Sequence, residues 1–179
     1  MGTQSDFLVS LVKPVGNVDF ETVYQTELPR IYNFFRYRLG DDQIAEDLTA
    51  ETFEKAWKHR ERYRDDLASF STWLFVIARR IAADHFRKQR STVPLEQAER
   101  LMNPQTLEET AQERAEFAQL SALLARLAER ERELVALKYG AGLTNRAIAR
   151  ISGLSESNVS TILHRITSQL RAQLENYHE

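Results

Sequence analysis

The chain has 179 residues, 24 basic and 26 acidic side chains, a formal net charge of −2 and a hydrophobic fraction of 42%. That balance is typical of a folded soluble protein long enough for one large domain or two small ones. Cysteine is absent and the four histidines, at 59, 85, 164 and 178, form no HExxH-type pair, so disulfides, thiolate chemistry and cysteine-ligated zinc are excluded, and neither metal nor cofactor is expected.

Residues 1–17 read as a tail. Their apolar run FLVSLV is short, follows Asp6 and has no basic leader, which does not make a signal peptide. No apolar run approaches the ~20 residues that span a bilayer. The expectation is a cytoplasmic protein without membrane insertion and without a small-molecule substrate.

From residue 18 onward the apolar spacing is helical throughout, and no segment reads as a strand. Residues 19–39 carry Phe20, Val23, Tyr24, Leu28, Ile31, Tyr32, Phe35 and Leu39, with Pro29 expected to kink or split the run. Gly40 stops it and Asp41 or Asp42 caps the next helix, over 43–60, with Ile44, Ala45, Leu48, Phe53, Ala56 and Trp57 inward. A long helix over 71–90 buries Leu74, Ile77, Ala78, Ile81 and Phe86. Residues 91–108, bracketed by Pro94 and Pro104, are acidic and weakly periodic and read as a linker. Helices are then expected over 107–127 and 129–139. The fold class is therefore all-α: a helical domain over 18–90, the linker, and a second helical domain over 109–179.

The last two helices form a motif, GLTNRAIARISGLSESNVSTILHRI, at 142–166. Thr144 caps a helix through Ile151, Gly153 makes the turn, and Ser155 caps a second helix whose buried stripe is Val159, Ile162, Leu163, Ile166 and Leu170. Off that stripe, near its N-terminus, lie Ser157, Asn158, Ser160, Thr161, His164 and Arg165. In a helix-turn-helix these are the positions that meet base edges, while the first helix crosses the DNA backbone. Short hydroxyl and amide side chains release few counterions, so this module alone should bind DNA weakly.

Charge is segregated along the chain. Six acids and no base lie between Asp41 and Glu54, and Arg79, Arg80, Arg87, Lys88 and Arg90 face only Asp84 over 79–90. Patches rather than totals steer nucleic acid. The basic run, interleaved with Tyr63, Phe70 and Trp73 and preceded by the loop RYRDDLASF that holds Arg64, suits single-stranded DNA. Trp73 fits a hydrophobic core equally well, and Phe70 fits it slightly better. On 45–58 the outward face Asp47, Ala50, Glu51, Glu54 and Lys58 is an acidic stripe, which on its own reads as a solvated face and would also suit a basic partner helix.

Taken together, AEDLTAETFEKAW (45–57), FSTWLFVIARRIAADHFRKQR (70–90) and LAERERELVALKYGAGLTNRAIARISGLSESNVSTILHRITSQLR (127–171) resemble, in order and spacing, the bacterial RNA polymerase sigma factors of the extracytoplasmic-function group. The resemblance covers about 18–175. It implies a sigma region 2 domain over 18–90 and a sigma region 4 domain over 109–179. It implies contact between the β′ coiled coil of core RNA polymerase and Asp47, Leu48, Glu51 and Phe53. It further implies −10 promoter contacts from Arg64, Phe70, Trp73, Arg79, Arg80, Arg87 and Lys88, and −35 contacts from Ser157, Asn158, Ser160, Thr161, His164 and Arg165. The second domain would also rest on the β flap, and an anti-sigma factor is an implied partner. The chain departs from the family pattern at Ala50, Arg80, Ala147, Ser160 and Ile162, while Arg165 matches it.

Two other functions compete on sequence grounds. An autonomous helix-turn-helix regulator would need a sensing or dimerising first lobe, and would leave the basic and aromatic 70–90 segment without a role. A nucleic-acid enzyme would need clustered carboxylates or an activated nucleophile, and neither pattern occurs.

Overall fold

The computed structural model describes residues 20–91 and 110–175; the expected tail and, apart from residue 91, the expected linker lie outside the described residues. Phe20–Leu39 forms α1, one helix that runs through Pro29. The expected split does not occur. Pro29 has no N–H to give the carbonyl of Gln25, but both residues lie on the exposed side, where water serves the freed acceptor. The opposite side buries Ile31, Phe34 and Phe35 completely, so packing holds the helix together across the gap in its ladder.

Asp42–Lys58 forms α2, and the Asp41 carboxylate accepts from the Ile44 N–H at 2.9 Å, as an N-cap should. Its buried face is Ala45, Leu48, Phe53 and Ala56 with Thr49 and Thr52. The two threonine hydroxyls donate back to the Ala45 and Leu48 carbonyls at 2.6 and 2.7 Å, which removes the cost of burying them. A single 3-10 turn at Arg60–Arg62 leads through a loop to α3, Phe70–Ser91, which packs Leu74, Phe75, Ala78, Ile81 and Ala82 into the same core. Helices α1 to α3 make the first lobe.

The second lobe begins with α4, Ala111–Leu124, and α5, Glu129–Val135, which runs into a π-helical turn at Ala136–Gly140. Then come α6, Asn145–Ser152, and α7, Glu156–Glu175. The described residues thus hold seven α-helices and no strand. The expected helix over 107–127 starts later, at a Thr110 cap, and ends at Leu124.

The lobes pack directly on each other. The Phe117 ring of α4 meets the Tyr37 ring of α1, centroids 5.4 Å apart, and the Arg36 guanidinium lies 3.8 Å over it. Arg30 donates its Nε to the Ala141 carbonyl at 2.9 Å, while its Nη1 holds the buried Glu27 carboxylate at 2.8 Å. The backbones approach so closely at the π-helical turn that a Cβ on Gly140 would sit 2.7 Å from the Asn33 carbonyl oxygen. One hydrophobic core therefore runs from α1–α3 into α5 and α7. No local signal announces this seam, because its partners are far apart in sequence.

Candidate nucleic-acid interface

The helix-turn-helix forms as its capping residues dictate. The Thr144 hydroxyl accepts from the Ala147 N–H at 3.2 Å to start α6, and Gly153 ends it in the left-handed region at φ 72°. The Ser155 hydroxyl accepts from the Asn158 N–H at 3.2 Å to start α7. Ile148 and Ile151 of α6 bury against Val159, Leu163, Ile166 and Leu170 of α7. That packing turns Ser157, Asn158, Ser160, Thr161, His164 and Arg165 outward, and all six are exposed.

Two of the six are already engaged. Thr161 donates its hydroxyl to the Ser157 carbonyl at 3.0 Å, so toward a ligand it offers only an acceptor and a methyl group. Arg165 Nη2 donates to Glu131 Oε1 of α5 at 2.5 Å. Two cations absent from the sequence-derived set lie close by: Arg146 and Arg150 are exposed on α6, and Arg146 Nε stands 3.6 Å from Glu156 Oε2 of α7. The signal for them was available, because the first helix of such a motif crosses the phosphate backbone.

In the first lobe Arg80, Arg87 and Lys88 are exposed along α3, with Arg87 2.9 Å from Asp84. Arg79 is not part of that row. Its Nε and Nη2 donate to the two oxygens of Glu133 at 2.9 and 3.1 Å, its Nη1 donates to the Ile151 carbonyl, and only 27% of its side chain is exposed. The seam between the lobes has drawn it inward. The side chain of Arg90 lies outside the described residues.

The loop before α3 is tightly tied. Arg64 grips Asp66 through two bonds of 2.8 Å, the Tyr63 hydroxyl donates to the Ala68 carbonyl at 3.0 Å, and Ser69 caps α3 through the Thr72 N–H at 3.3 Å. Burial, with the Asp65 charge added, pushes the Tyr63 phenol above its ordinary value, which keeps it a donor. The Tyr63, Phe70 and Trp73 rings meet edge-on or tilted in a triangle with centroids 5.1 to 5.5 Å apart. Phe70 is 7% exposed and belongs to the core, so it offers no face to a base here. Trp73 is half-buried at the edge of the triangle, and Leu67 projects from the loop with 71% of its surface exposed.

On α2 the acidic stripe faces out as its spacing requires: Asp47, Ala50 and Glu54 are exposed, and Glu51 is partly so. Glu51 and Glu54 pair with Lys55 and Lys58, one turn on, at 2.7 and 2.5 Å. Leu48 and Phe53, expected as contact residues, lie beneath the stripe. At 8% and 6% exposure they form the floor beneath the stripe, and the Tyr24 ring covers Phe53 edge-on at 4.7 Å. Among the described residues no group of His, Asp or Glu side chains is placed to hold a metal, and no helix is long and apolar enough to cross a membrane.

The class that fold and site define is a two-lobed helical protein with a C-terminal helix-turn-helix and a basic helix in its first lobe. Residues 23–92 match sigma-70 region 2 and residues 117–170 match sigma-70 region 4. The chain belongs to the sigma-70 family, in its extracytoplasmic-function (ECF) group. It is 30% identical over 159 residues to the ECF RNA polymerase sigma factor BldN of Streptomyces coelicolor, a match that covers 87% of this chain and 60% of that protein. It is 28% identical over 155 residues to the ECF RNA polymerase sigma factor SigM of Bacillus subtilis, covering 85% of this chain and 93% of that one. The sigma factor RpoE of Bartonella quintana, solved with the anti-sigma factor NepR, shares the fold with a TM-score of 0.66 at 21% identity, over 88% of this chain and 97% of that chain. Two successive regions of one family account for both lobes, and the autonomous-regulator reading gives way.

Proposed function

We propose that this chain is the promoter-specificity subunit of an RNA polymerase holoenzyme, with the two lobes reading separate promoter elements. The exposed face of α7, Ser157, Asn158, Ser160, Thr161, His164 and Arg165, reads the −35 element. Arg80, Arg87, Lys88 and Trp73 of α3, with Arg64 in the preceding loop, engage the −10 region once its strands part. Arg79 joins them when the seam with the second lobe opens. Arg146 and Arg150 hold phosphates flanking the −35 site. The acidic stripe of Asp47 and Glu51, carried on the buried Leu48 and Phe53, meets a basic helix of core polymerase.

The single observation that carries this reading is the capped helix-turn-helix, whose second helix turns six consecutive-turn polar side chains to solvent. A near-neutral protein suits the role: polymerase links two weak DNA contacts, and effective concentration multiplies them. The solved relative bound to an anti-sigma factor supports a protein of that kind as a further partner. The compartment that fits a polymerase subunit is the cytoplasm, and the chemistry of RNA synthesis stays with polymerase.

The test is run-off transcription with core polymerase on a library varied at the −35 and −10 positions. Wild-type chain should select one promoter class, and alanine at Ser160, Thr161 and Arg165 should reduce or shift selection at the −35 positions. Unchanged selection would refute the assignment of α7.

A further inference from the structure

The outward face of α7 receives a carboxylate from another helix of its own lobe. Arg165 Nη2 donates to Glu131 Oε1 of α5 at 2.5 Å, and the two side chains are 65% and 26% exposed. The acceptor is the anchored partner. Leu134 and Val135 of α5 share one core with Val159, Leu163 and Ile166 of α7, all of them buried. Arg132, the next residue after Glu131, donates to the Ala125 carbonyl at 2.7 Å, which ties the start of α5 to the end of α4. Glu131 thus stands on a fixed base, whereas Arg165 carries a long side chain on an exposed helix face.

Such a bond has opposite consequences for the two things a guanidinium does on DNA. At a phosphate, a neighbouring carboxylate offsets the arginine's charge and repels the backbone, so affinity falls. At a base edge, sequence is read by donors with fixed directions, and a side chain already held in place loses less freedom on binding. Immobilising one rotamer-rich side chain weakens binding about two- to twelvefold, and a bond made beforehand removes part of that loss. A guanidinium has five N–H donors, and Glu131 occupies one of them, so a two-pronged donation stays open. The acceptor pair that matches it in the major groove is O6 and N7 of guanine. We propose that Glu131 is a positioning residue for base reading: it aims the Arg165 guanidinium at a guanine of the −35 element and leaves the phosphates to Arg146 and Arg150. This rests on the reading of α7 as the −35 helix, and it extends the specificity of that helix to a residue outside the helix-turn-helix.

The test uses holoenzyme and a promoter duplex of the class that the wild-type chain selects. Each guanine of either −35 strand is replaced in turn by 7-deazaguanine, which pairs normally but lacks the N7 acceptor. With wild-type chain, one such replacement should weaken binding by about fivefold. Arg165→Ala should erase that difference. Glu131→Ala should cut it to about twofold or less, because the guanidinium must then be immobilised by the DNA itself. Glu131→Gln should keep it, since the amide oxygen still accepts from the guanidinium. On the Arg165→Ala background, Glu131→Ala should change nothing further.

The ratio between normal and modified duplex isolates positioning from two other effects of the same substitutions. Both Glu131 variants remove a negative charge near DNA and should tighten binding to every duplex alike. Glu131 also lies in the first turn of α5, where an acid suits the helix dipole, and any loosening of α5 would act on both duplexes equally. A ratio unchanged by Glu131→Ala, or lowered just as much by Glu131→Gln, overturns the positioning role and leaves α7 as the −35 helix. A wild-type chain that tolerates 7-deazaguanine at every −35 position overturns it too. If that chain also shows no −35 selection in run-off transcription, the reading of α7 falls with it.

Discussion

Asp47 and Leu48 are neighbours on α2, yet one is exposed and the other 8% exposed, and their substitution should fail in different ways. Asp47→Lys with Glu51→Lys should leave stability within about 0.5 kcal/mol, because surface charges and an exposed i,i+4 pair contribute little. Co-purification with core polymerase should nevertheless be lost, since the stripe changes sign. Phe53→Ala should instead cost about 3–5 kcal/mol of stability by opening a cavity under the stripe. Its polymerase defect should vanish at temperatures where the variant remains folded. Thermal melts run beside the pull-down separate the two outcomes. The outward face of α7 was legible in the sequence because an uninterrupted 3–4 apolar stripe fixes which side is buried. Leu48 and Phe53 were named as contacts because the family resemblance names a segment, whereas the stripe alone puts them inside, where they are buried. The engagement of Arg79 in the seam was not legible: its partner Glu133 comes from 54 residues away, and no local pattern encodes such a meeting.

At the scale of elements, caps were the most readable feature. Asp41, Thr144 and Ser155 all cap as their residue types predict. The T-x-x-E spacing at Thr110 and Glu113 also forms a full capping box, and it outranks the apolar spacing that put the helix start earlier. Glu113 accepts from the Thr110 N–H at 2.8 Å and from its hydroxyl at 3.0 Å. These bonds to the charged form hold its carboxyl below the ordinary carboxylate range. Because the folded value is the lower one, the contribution is complete above the ordinary range and disappears as pH falls through the depressed value. Amide-exchange protection over 111–114, taken relative to the intrinsic rate at each pH, should fall in that acid window, and Glu113→Gln should remove this change in protection. Gly140 closes the π-helical turn, and its place is set by contact. Gly140→Ala would press a Cβ against the Asn33 carbonyl, backbone against backbone, where neither side can swing away. A loss of about 1–3 kcal/mol is expected, as for other overpacked sites, measured by denaturant unfolding.

For the whole molecule the question is how a chain of net charge −2 holds DNA at all. Its cations are distributed by role. Arg38, Arg79 and Arg132 sit at or near the seam, where burial lowers the Arg38 and Arg132 values below the ordinary one. Arg80, Arg87 and Lys88 line α3, and Arg146, Arg150 and Arg165 line the helix-turn-helix. Only the exposed groups can release counterions, and each phosphate neutralised on duplex DNA contributes about −0.9 to the slope of log K against log salt. The three cations assigned to DNA on this lobe, Arg146, Arg150 and Arg165, therefore limit its own slope to about −3. Arg146 and Arg150 lie on α6, the first helix of the helix-turn-helix, and under the proposed docking they should supply affinity without sequence preference. Arg146→Ala with Arg150→Ala in holoenzyme should weaken all −35 variants alike and flatten the salt slope by about 2. Arg165→Ala should instead change the ranking among −35 sequences if its guanidinium reads a base edge, costing about 1–3 kcal/mol on the preferred one. Binding titrations at several salt concentrations over a −35 library measure both quantities at once. A double variant that reorders the library while keeping the wild-type slope would place Arg146 and Arg150 on bases and remove the division of labour between α6 and α7.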